Sequence, residues 1–277
     1  MSSASPYTIN AGGQLLELHA PIVMGILNAS PDSFYRHHEG AASMRRHTAR
    51  MLAEGAAVID VGACSTRPGS TPVSLEEETR LLRTALEAVR QEAPEAIVSV
   101  DTFRSQVARM SAEEYGVQIV NDISGGSMDD GMWRTVAELG LPYVLTHNAP
   151  VSETSDDAFM ASLLRDLGSK AERLHDMGVC DVILDPGFGF GKTLTQNYAL
   201  MRNLHVLHEL GLPLLVGISH KSMIHRLLGT TPEEALNGTT VLHTVALQKG
   251  AHILRAHEVR EATECIKITN AIRECQK

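Results

Sequence analysis

The stretch Val182-Ile-Leu-Asp-Pro-Gly-Phe-Gly-Phe-Gly-Lys-Thr193 joins a short apolar run to a glycine-rich loop through an acid. Asp185 ends the run, and Pro186 then removes the backbone N–H that a strand would need to continue. This pattern predicts a β-strand whose carboxyl end carries an acid. In parallel α/β proteins, ligands bind at that end of the strands, because the strands are rigid and the following loops can approach the ligand.

The glycine-rich loop does not match the phosphate-binding motif of ATPases. That motif places four residues between its two glycines and ends in Lys-Ser or Lys-Thr. Here Gly187 and Gly191 have only three residues between them, and the preceding Asp-Pro is foreign to the motif. The sequence therefore excludes an ATPase of this type.

The pattern of an apolar run that ends on polar residues recurs along the chain, with helical patterns between the runs. The runs lie at residues 21–28, 58–61, 97–101, 118–122, 143–147, 182–185, 214–217 and 251–254. Eight such units in 277 residues predict one α/β domain over residues 1–277, a (β/α)8 TIM barrel. Residues 1–20 contain a Gly12-Gly13 turn, which predicts a short N-terminal β-hairpin that plugs the bottom of the barrel. A doubly wound open sheet is disfavoured, because no Gly-x-Gly-x-x-Gly turn follows the first strand.

Composition limits the classes of partner. The net charge of −9 argues against a broad face for nucleic acid or for an anionic membrane. No apolar run approaches the length of a membrane span, and the first 20 residues lack the pattern of a signal peptide. The four cysteines show no Cys-x-x-Cys spacing, so we expect reduced thiols, no disulfide, no zinc and a cytoplasmic location.

The polar residues at the predicted strand ends sort by chemistry. Asp101, Asn121 and Asp185 suit a flat, nitrogen-rich heterocycle, since a carboxylate can accept two parallel N–H bonds from an amidine-like edge. Groups that suit a phosphate or pyrophosphate with its magnesium ion are Asn28, Ser65, Thr66, Arg67, Arg255 and His257. Lys221, between Ser219 and Ser222, forms a third group.

Each of these residues also has an ordinary structural interpretation. A strand-terminal Asp is often a helix cap, and Asn121-Asp122 is a frequent turn pair. A single arginine such as Arg255 commonly pairs with a surface glutamate. The functional interpretation depends on the shared position of these residues at strand ends.

Taken together, the motifs resemble the dihydropteroate synthase family of pterin-binding enzymes over most of the chain. The resemblance lies in Gly25-Ile-Leu-Asn28, Pro31-Asp-Ser-Phe34, Ser65-Thr-Arg-Pro68, Val100-Asp-Thr102, Asn121-Asp-Ile-Ser124, Asp185-Pro-Gly187, Gly189-Phe-Gly-Lys-Thr193, Ser219, Lys221-Ser222, Arg255 and His257. It implies an enzyme, a transferase that condenses hydroxymethyl-dihydropterin pyrophosphate with 4-aminobenzoate to give dihydropteroate and pyrophosphate. It also implies Mg²⁺ as cofactor and a homodimer.

The resemblance further implies a role for each matched residue. Pterin would be bound by Asp101, Asn121, Asp185 and Lys221, and pyrophosphate by Asn28, Thr66, Arg67, Arg255 and His257. Aminobenzoate would contact Thr66, Arg67, Pro68, Phe190, Lys221 and Ser222. Asn28 would hold the metal ion, and the catalytic set would be Lys221, Arg255, Asp101 and Asp185.

The chain departs from the family pattern close to these residues. His220 stands where the family usually has arginine, and Glu258 where it has aspartate. Cys64 replaces a glutamate, and Thr146 replaces a methionine. The departures keep open a pterin-binding paralogue without this activity. A pterin-dependent methyl-transfer domain is a separate alternative, although it would have little use for Arg255, His257 and Lys221 as an anion site. A lyase that uses Lys221 as a Schiff base fits a barrel only by analogy of fold.

Overall fold

The structure is a computed structural model that describes residues 7–29, 40–63, 73–152 and 155–275. Ten strands are found in these ranges: β1 Thr8–Ala11, β2 Gln14–Glu17, β3 Ile22–Asn28, β4 Ala56–Gly62, β5 Ile97–Asp101, β6 Ile119–Asp122, β7 Tyr143–Thr146, β8 Val182–Asp185, β9 Leu215–Val216 and β10 Ile253–Ala256. The α-helices in the same ranges are α1 Gly40–Ala53, α2 Leu75–Glu92, α3 Ser105–Tyr115, α4 Met132–Leu139, α5 Asp156–Asp176, α6 Leu194–Arg202, α7 Ser222–Leu228, α8 Leu236–Gln248 and α9 Val259–Glu274.

The eight strands β3 to β10 form one parallel sheet in the order β8-β7-β6-β5-β4-β3-β10-β9. A parallel bridge between Leu184 and Leu214 joins its two end strands. Helices alternate with the strands, so the architecture is the predicted (β/α)8 barrel and the open-sheet alternative is wrong. All carboxyl ends of the strands therefore face one mouth.

The last strand begins later than the sequence pattern indicates. The backbone N–H of Ala251 donates to the carbonyl of Ala246 at 3.0 Å and so ends helix α8. Strand pairing starts at Ile253 and continues to Ala256. Arg255 consequently lies within the strand, where its side-chain direction is fixed by the pleat.

The hairpin β1–β2 closes the amino-terminal end of the barrel. Its buried side chains Ile9, Ala11, Leu16 and Leu18 join one apolar cluster with Met24, Val58, Ile119, Val144, Ile183, Leu215 and Ile253 of the strands. Because these strand residues point into the barrel, the cluster is its apolar floor. The predicted plug is confirmed.

A second, larger cluster lies between the outer face of the sheet and the helices. It contains the alternate strand residues, such as Tyr143 and Leu145 of β7, together with apolar helix residues such as Phe159 and Leu163. Strands covered on both faces read as continuous apolar runs, which is why no alternation is visible in the sequence.

The loop after β5 is held by a buried acid of helix α2. That helix is capped by Ser74, whose hydroxyl accepts from the N–H of Glu77 at 3.2 Å, as the sequence predicts. Glu78 in its first turn is fully buried, accepts from Thr102 Oγ1 at 2.6 Å and pairs with Arg104. These bonds fix the backbone that follows Asp101.

Candidate active site

A polar layer lies directly above the apolar floor of the barrel. Side chains two residues apart on a strand point to the same side. Val58, Ile119, Ile183 and Ile253 belong to the floor, and two positions further along the same strands come Asp60, Asn121, Asp185 and Arg255. The change from apolar to polar residues within each strand therefore builds a site at the carboxyl ends.

Arg255 is the centre of this layer. Its Nε donates to Asp60 Oδ2 at 2.7 Å, and its Nη2 donates to Asp101 Oδ2 at 2.6 Å. The side chain of Arg255 is 15 % exposed and that of Asp60 is fully buried. Burial alone would lower the pKa of Arg255, but the two carboxylates outweigh it and raise that pKa. The guanidinium is thus a permanent buried cation held by two acids.

The two acids differ in how their charge is compensated. Asp60 Oδ2 also accepts from Asn121 Nδ2 at 3.0 Å, whereas its buried Oδ1 has no protein partner in the described ranges. Asp101 lies beside Asn121 in the register of β5 and β6. Burial raises the pKa of Asp101 to about 7, against the opposing effect of the neighbouring Arg255 cation.

Asp185 lies on the far side of the mouth and is 7 % exposed. Its Oδ1 accepts from the backbone N–H of Gly187 at 2.8 Å, which turns the chain immediately after Pro186. Gly187 has φ +69°, and a Cβ there would lie 2.0 Å from the carbonyl oxygen of His147, so only glycine fits. Burial raises the pKa of Asp185, while the Gly187 bond and the Lys221 charge oppose the rise.

Lys221 reaches the same region from the loop after β9. Its Nζ lies 4.0 Å from the ring centroid of Phe190, a cation–π contact. Burial lowers the pKa of Lys221 to about 8, although Asp185 opposes the shift. Lys221 therefore places a positive charge between an aromatic face and the acids of the mouth.

The loop that carries Phe190 is held by Lys192, whose role the sequence analysis did not assign. Lys192 Nζ donates to the carbonyls of His147, Gly187 and Phe190 at 3.1, 2.9 and 3.1 Å. Three carbonyl acceptors around one ammonium group fix the turn and the aromatic ring at its tip. The sequence does show a lysine directly after Gly191, at the end of the glycine-rich loop.

Asp60 was also missed, although its signal is visible in the sequence. It is an acid inside the apolar run 58–61, two residues after Val58. An acid buried within a strand needs a partner, and only closure of the barrel brings Arg255, 195 positions away, to it.

The structure places the other predicted residues at the rim. Asn28 is exposed at the end of β3, and His257 is exposed after β10, where its Nδ1 lies 3.1 Å from Ser219 Oγ. Ser222 is the first residue of α7. Thr66, Arg67 and Pro68 lie outside the described residues, as does Cys64.

Asn121 and Asp122 have separate roles. Asp122 accepts from Tyr143 Oη at 2.7 Å and from the backbone N–H groups of Ser124 and Gly126 at 2.7 and 3.0 Å. It is thus the turn residue that the structural interpretation anticipated, whereas Asn121 belongs to the polar layer.

Three broader features bear on the class of protein. Within the described ranges, no group of three or more His, Cys, Asp and Glu side chains is arranged to hold a metal ion. In the same ranges, no helix has the length and apolar character needed to cross a membrane. Cys180, Cys265 and Cys275 are free thiols.

Known proteins with similar sequences share one family. The family described as "Pterin binding enzyme" matches residues 24–257. The dihydropteroate synthase of Escherichia coli K12 is 41 % identical over 271 residues, which cover 94 % of this chain and 95 % of that protein.

Solved structures agree with the sequence matches. Xanthomonas albilineans dihydropteroate synthase with 4-aminobenzoic acid has a TM-score of 0.89 and 34 % identity, over 97 % of this chain and 99 % of that one. Yersinia pestis dihydropteroate synthase with a pterine-sulfa conjugate has a TM-score of 0.87 and 36 % identity, over 97 % and 100 % of the two chains. With its barrel, its polar layer and these relatives, the chain belongs to the pterin-binding enzyme family, among the dihydropteroate synthases, which are transferases.

Proposed function

We propose that this chain condenses hydroxymethyl-dihydropterin pyrophosphate with 4-aminobenzoate, forming dihydropteroate and releasing pyrophosphate. The observation that carries the proposal is the polar layer of Asp60, Asp101, Asn121, Asp185 and Arg255 above a sealed apolar floor. The ligands of the X. albilineans and Y. pestis relatives support it, because one contains aminobenzoate and the other a pterin group.

The pterin ring binds to Asp101, Asn121 and Asp185. A carboxylate such as Asp185 can accept two parallel N–H bonds from the amino-pyrimidine edge of the ring. Asp185 and Asp101 are both nearly buried, so these bonds form away from competing water. Arg255, fixed by Asp60 and Asp101, is already in position before the substrate enters.

The chemical step breaks the bond between the pterin methylene carbon and the pyrophosphate oxygen. The electron pair leaves with pyrophosphate, and positive charge develops on the methylene group and the ring. Fixed carboxylates around the ring, Asp101 and Asp185, stabilise that charge electrostatically. The amino nitrogen of aminobenzoate then forms the new C–N bond and releases one proton to solvent, so no covalent enzyme intermediate is needed.

Pyrophosphate is bound by Asn28, Thr66, Arg67 and His257, with Arg255 facing it from within the barrel. The exposed amide of Asn28 at the end of β3 supplies a hard oxygen ligand of the kind that Mg²⁺ accepts. Mg²⁺ commonly takes one or two protein ligands and completes its shell with substrate phosphates and water, which fits this donor set. When bound, it would neutralise charge on the leaving pyrophosphate.

Aminobenzoate binds beside Phe190 and Lys221, with Thr66, Arg67, Pro68 and Ser222 completing its pocket. The ring of Phe190 and the nearby ammonium of Lys221 match a ligand that has an aromatic ring and a carboxylate. Lys192 holds Phe190 in place for this contact.

We further propose a homodimer in the cytoplasm. Large exposed apolar side chains lie on three successive helices: Leu227 and Leu228 on α7, Val241 on α8, and Ile268 and Ile272 on α9. Pairing two copies through these helices would remove this apolar surface from water. Light scattering coupled to gel filtration measures the mass of the protein in solution. A monomer at micromolar concentration would contradict the homodimer.

Calorimetry and steady-state kinetics test the site assignments. Asp185→Asn should weaken binding of the pterin by about tenfold or more, because one matched acceptor is lost. Asp130→Asn, at an exposed position on the loop before α4, is the control. Unchanged pterin affinity in Asp185→Asn would remove that residue from the ring site.

Arg255→Ala should lower turnover more than it weakens binding of the pterin alcohol, which has no pyrophosphate. If turnover of the pterin pyrophosphate and affinity for the pterin alcohol fell by the same factor, Arg255 would act mainly on the ring, through Asp60 and Asp101.

A further inference from the structure

We propose that His220 and Glu258 form a charged couple that positions the Lys221 loop against the segment that carries His257. His220 precedes Lys221, and Glu258 follows His257. The couple therefore links Lys221 to His257. Both residues contact substrate in the proposed function, and this inference rests on that function. His220 and Glu258 are positioning residues and touch no substrate themselves.

The backbone at His220 needs external support. Its φ is +55°, and among the described residues it is the non-glycine residue with a positive φ. Residues with a Cβ avoid this region unless surrounding contacts hold them there. The N–H of His220 donates to Thr239 Oγ1 at 3.2 Å, and both ring nitrogens are engaged as well.

Both ring nitrogens of His220 have an acceptor within hydrogen-bond distance. Nδ1 lies 2.5 Å from the carbonyl oxygen of Pro232, and Nε2 lies 2.9 Å from Glu258 Oε1. A carbonyl and a carboxylate can only accept hydrogen bonds, so each ring nitrogen must carry a proton. A ring that donates both hydrogen bonds is an imidazolium ion, and a neutral ring would lose one of the two bonds.

The network continues from Glu258 to His257. Glu258 Oε2 accepts from Ser219 Oγ at 3.3 Å, and Ser219 Oγ in turn lies 3.1 Å from His257 Nδ1. The backbone N–H of His257 also donates to Ser219 Oγ at 3.4 Å. The serine thus uses its one donor on Glu258 and accepts from both His257 groups, which fixes the direction of every bond.

Charged and titratable groups surround His220 on several sides. Glu258 belongs to the start of α9, the His257 ring stands edge-on at 5.8 Å, and Lys221 follows in the chain. Glu233 and Glu234 follow Pro232 in the short helix Pro232–Glu234. Glu258 Oε1 lies 2.9 Å from the ring Nε2, so removal of this carboxylate tests the couple most directly.

Kinetics of four variants test the proposal. His220→Gln and Glu258→Gln should each lower kcat/KM by about tenfold, and the double variant should lose no more than either single one. His220→Arg, which supplies a permanent cation, should keep activity within about threefold of the unaltered protein. His19→Gln is the matched control, since His19 forms an exposed pair with Glu17.

Nitrogen NMR of the histidine rings gives a readout that does not need activity. Both His220 ring nitrogens should be protonated at neutral pH, and Glu258→Gln should remove the Nε2 proton signal. An unprotonated ring nitrogen of His220 in the unaltered protein would overturn the proposal. So would a reduction in kcat/KM of the double variant equal to the product of the two single reductions. A protein with this NMR signature that forms no dihydropteroate would refute the proposed function and leave the couple intact.

Discussion

The sharpest test of the polar layer is Asp60→Asn, which removes one of the two acids that hold Arg255. The substitution keeps the shape of the side chain and deletes its charge. Asp60 Oδ2 accepts from Arg255 Nε at 2.7 Å and from Asn121 Nδ2 at 3.0 Å, so the substitution weakens the support of both the cation and the amide that we propose to bind pterin.

The magnitude follows from these contacts. A hydrogen bond to a charged group contributes about 1.5–3 kcal/mol. At about 1.4 kcal/mol per factor of ten, its loss should lower kcat/KM for the pterin pyrophosphate by about 10- to 150-fold. Because Arg255 keeps its bond to Asp101, the cation is not left alone, and the free energy of unfolding should fall by less than the roughly 3–5 kcal/mol seen when a buried pair is broken outright.

Steady-state kinetics with either substrate varied, together with urea unfolding, measure both effects. Asp122→Asn is the matched control, since Asp122 is a buried acid that bonds to Tyr143 and its own turn, without a bond to Arg255. It should lower stability and leave kcat/KM of the folded enzyme within about twofold. An Asp60→Asn enzyme with an unchanged kcat/KM would refute the reasoning, because the position of Arg255 would then not depend on its acids.

Three further predictions concern other described residues. Burial lowers the pKa of His243 to about 4. Between about pH 6.5 and about pH 4 the native state therefore binds fewer protons than the unfolded state. The free energy of unfolding should fall by about 3 kcal/mol as pH falls through that window. His243→Leu should flatten this part of the urea-midpoint curve, and an unchanged slope would assign it elsewhere. Lys192→Met should raise KM for 4-aminobenzoate about tenfold by loosening Phe190, with little change if that ring is held by packing alone. Thr146→Val and Thr269→Val each remove a buried hydroxyl that has no hydrogen-bond partner among the described residues, and each should raise stability by about 1 kcal/mol in thermal unfolding. A loss of stability in either variant would show that its hydroxyl is bonded.

The barrel and half of its site are visible in the sequence. Runs that end at Asp101, Asn121 and Asp185 mark strand ends by local chemistry alone, because an acid or amide interrupts the apolar run that a buried strand requires. The Gly12-Gly13 turn and the Ser74 cap are likewise local, and the structure has both.

The rest depends on contacts between distant segments. Arg255 was assigned to the pyrophosphate group as one of several basic residues, and nothing local indicates that Asp60 would hold it. The same holds for Lys192, whose three carbonyl partners come from two loops, and for the bond between His220 and Glu258. Such pairs exist only once the strands are ordered around the barrel, so a single sequence cannot supply them.

The central claim is that this polar layer performs the condensation, and product formation tests it most directly. The purified protein, Lys221→Ala and the exposed-lysine control Lys267→Ala would each be mixed with hydroxymethyl-dihydropterin pyrophosphate, 4-aminobenzoate and Mg²⁺, and dihydropteroate measured by mass spectrometry. We predict product from the unaltered protein and from Lys267→Ala, and a loss of about a hundredfold or more in Lys221→Ala. No product from the unaltered protein, with pterin binding intact by calorimetry, would contradict the account.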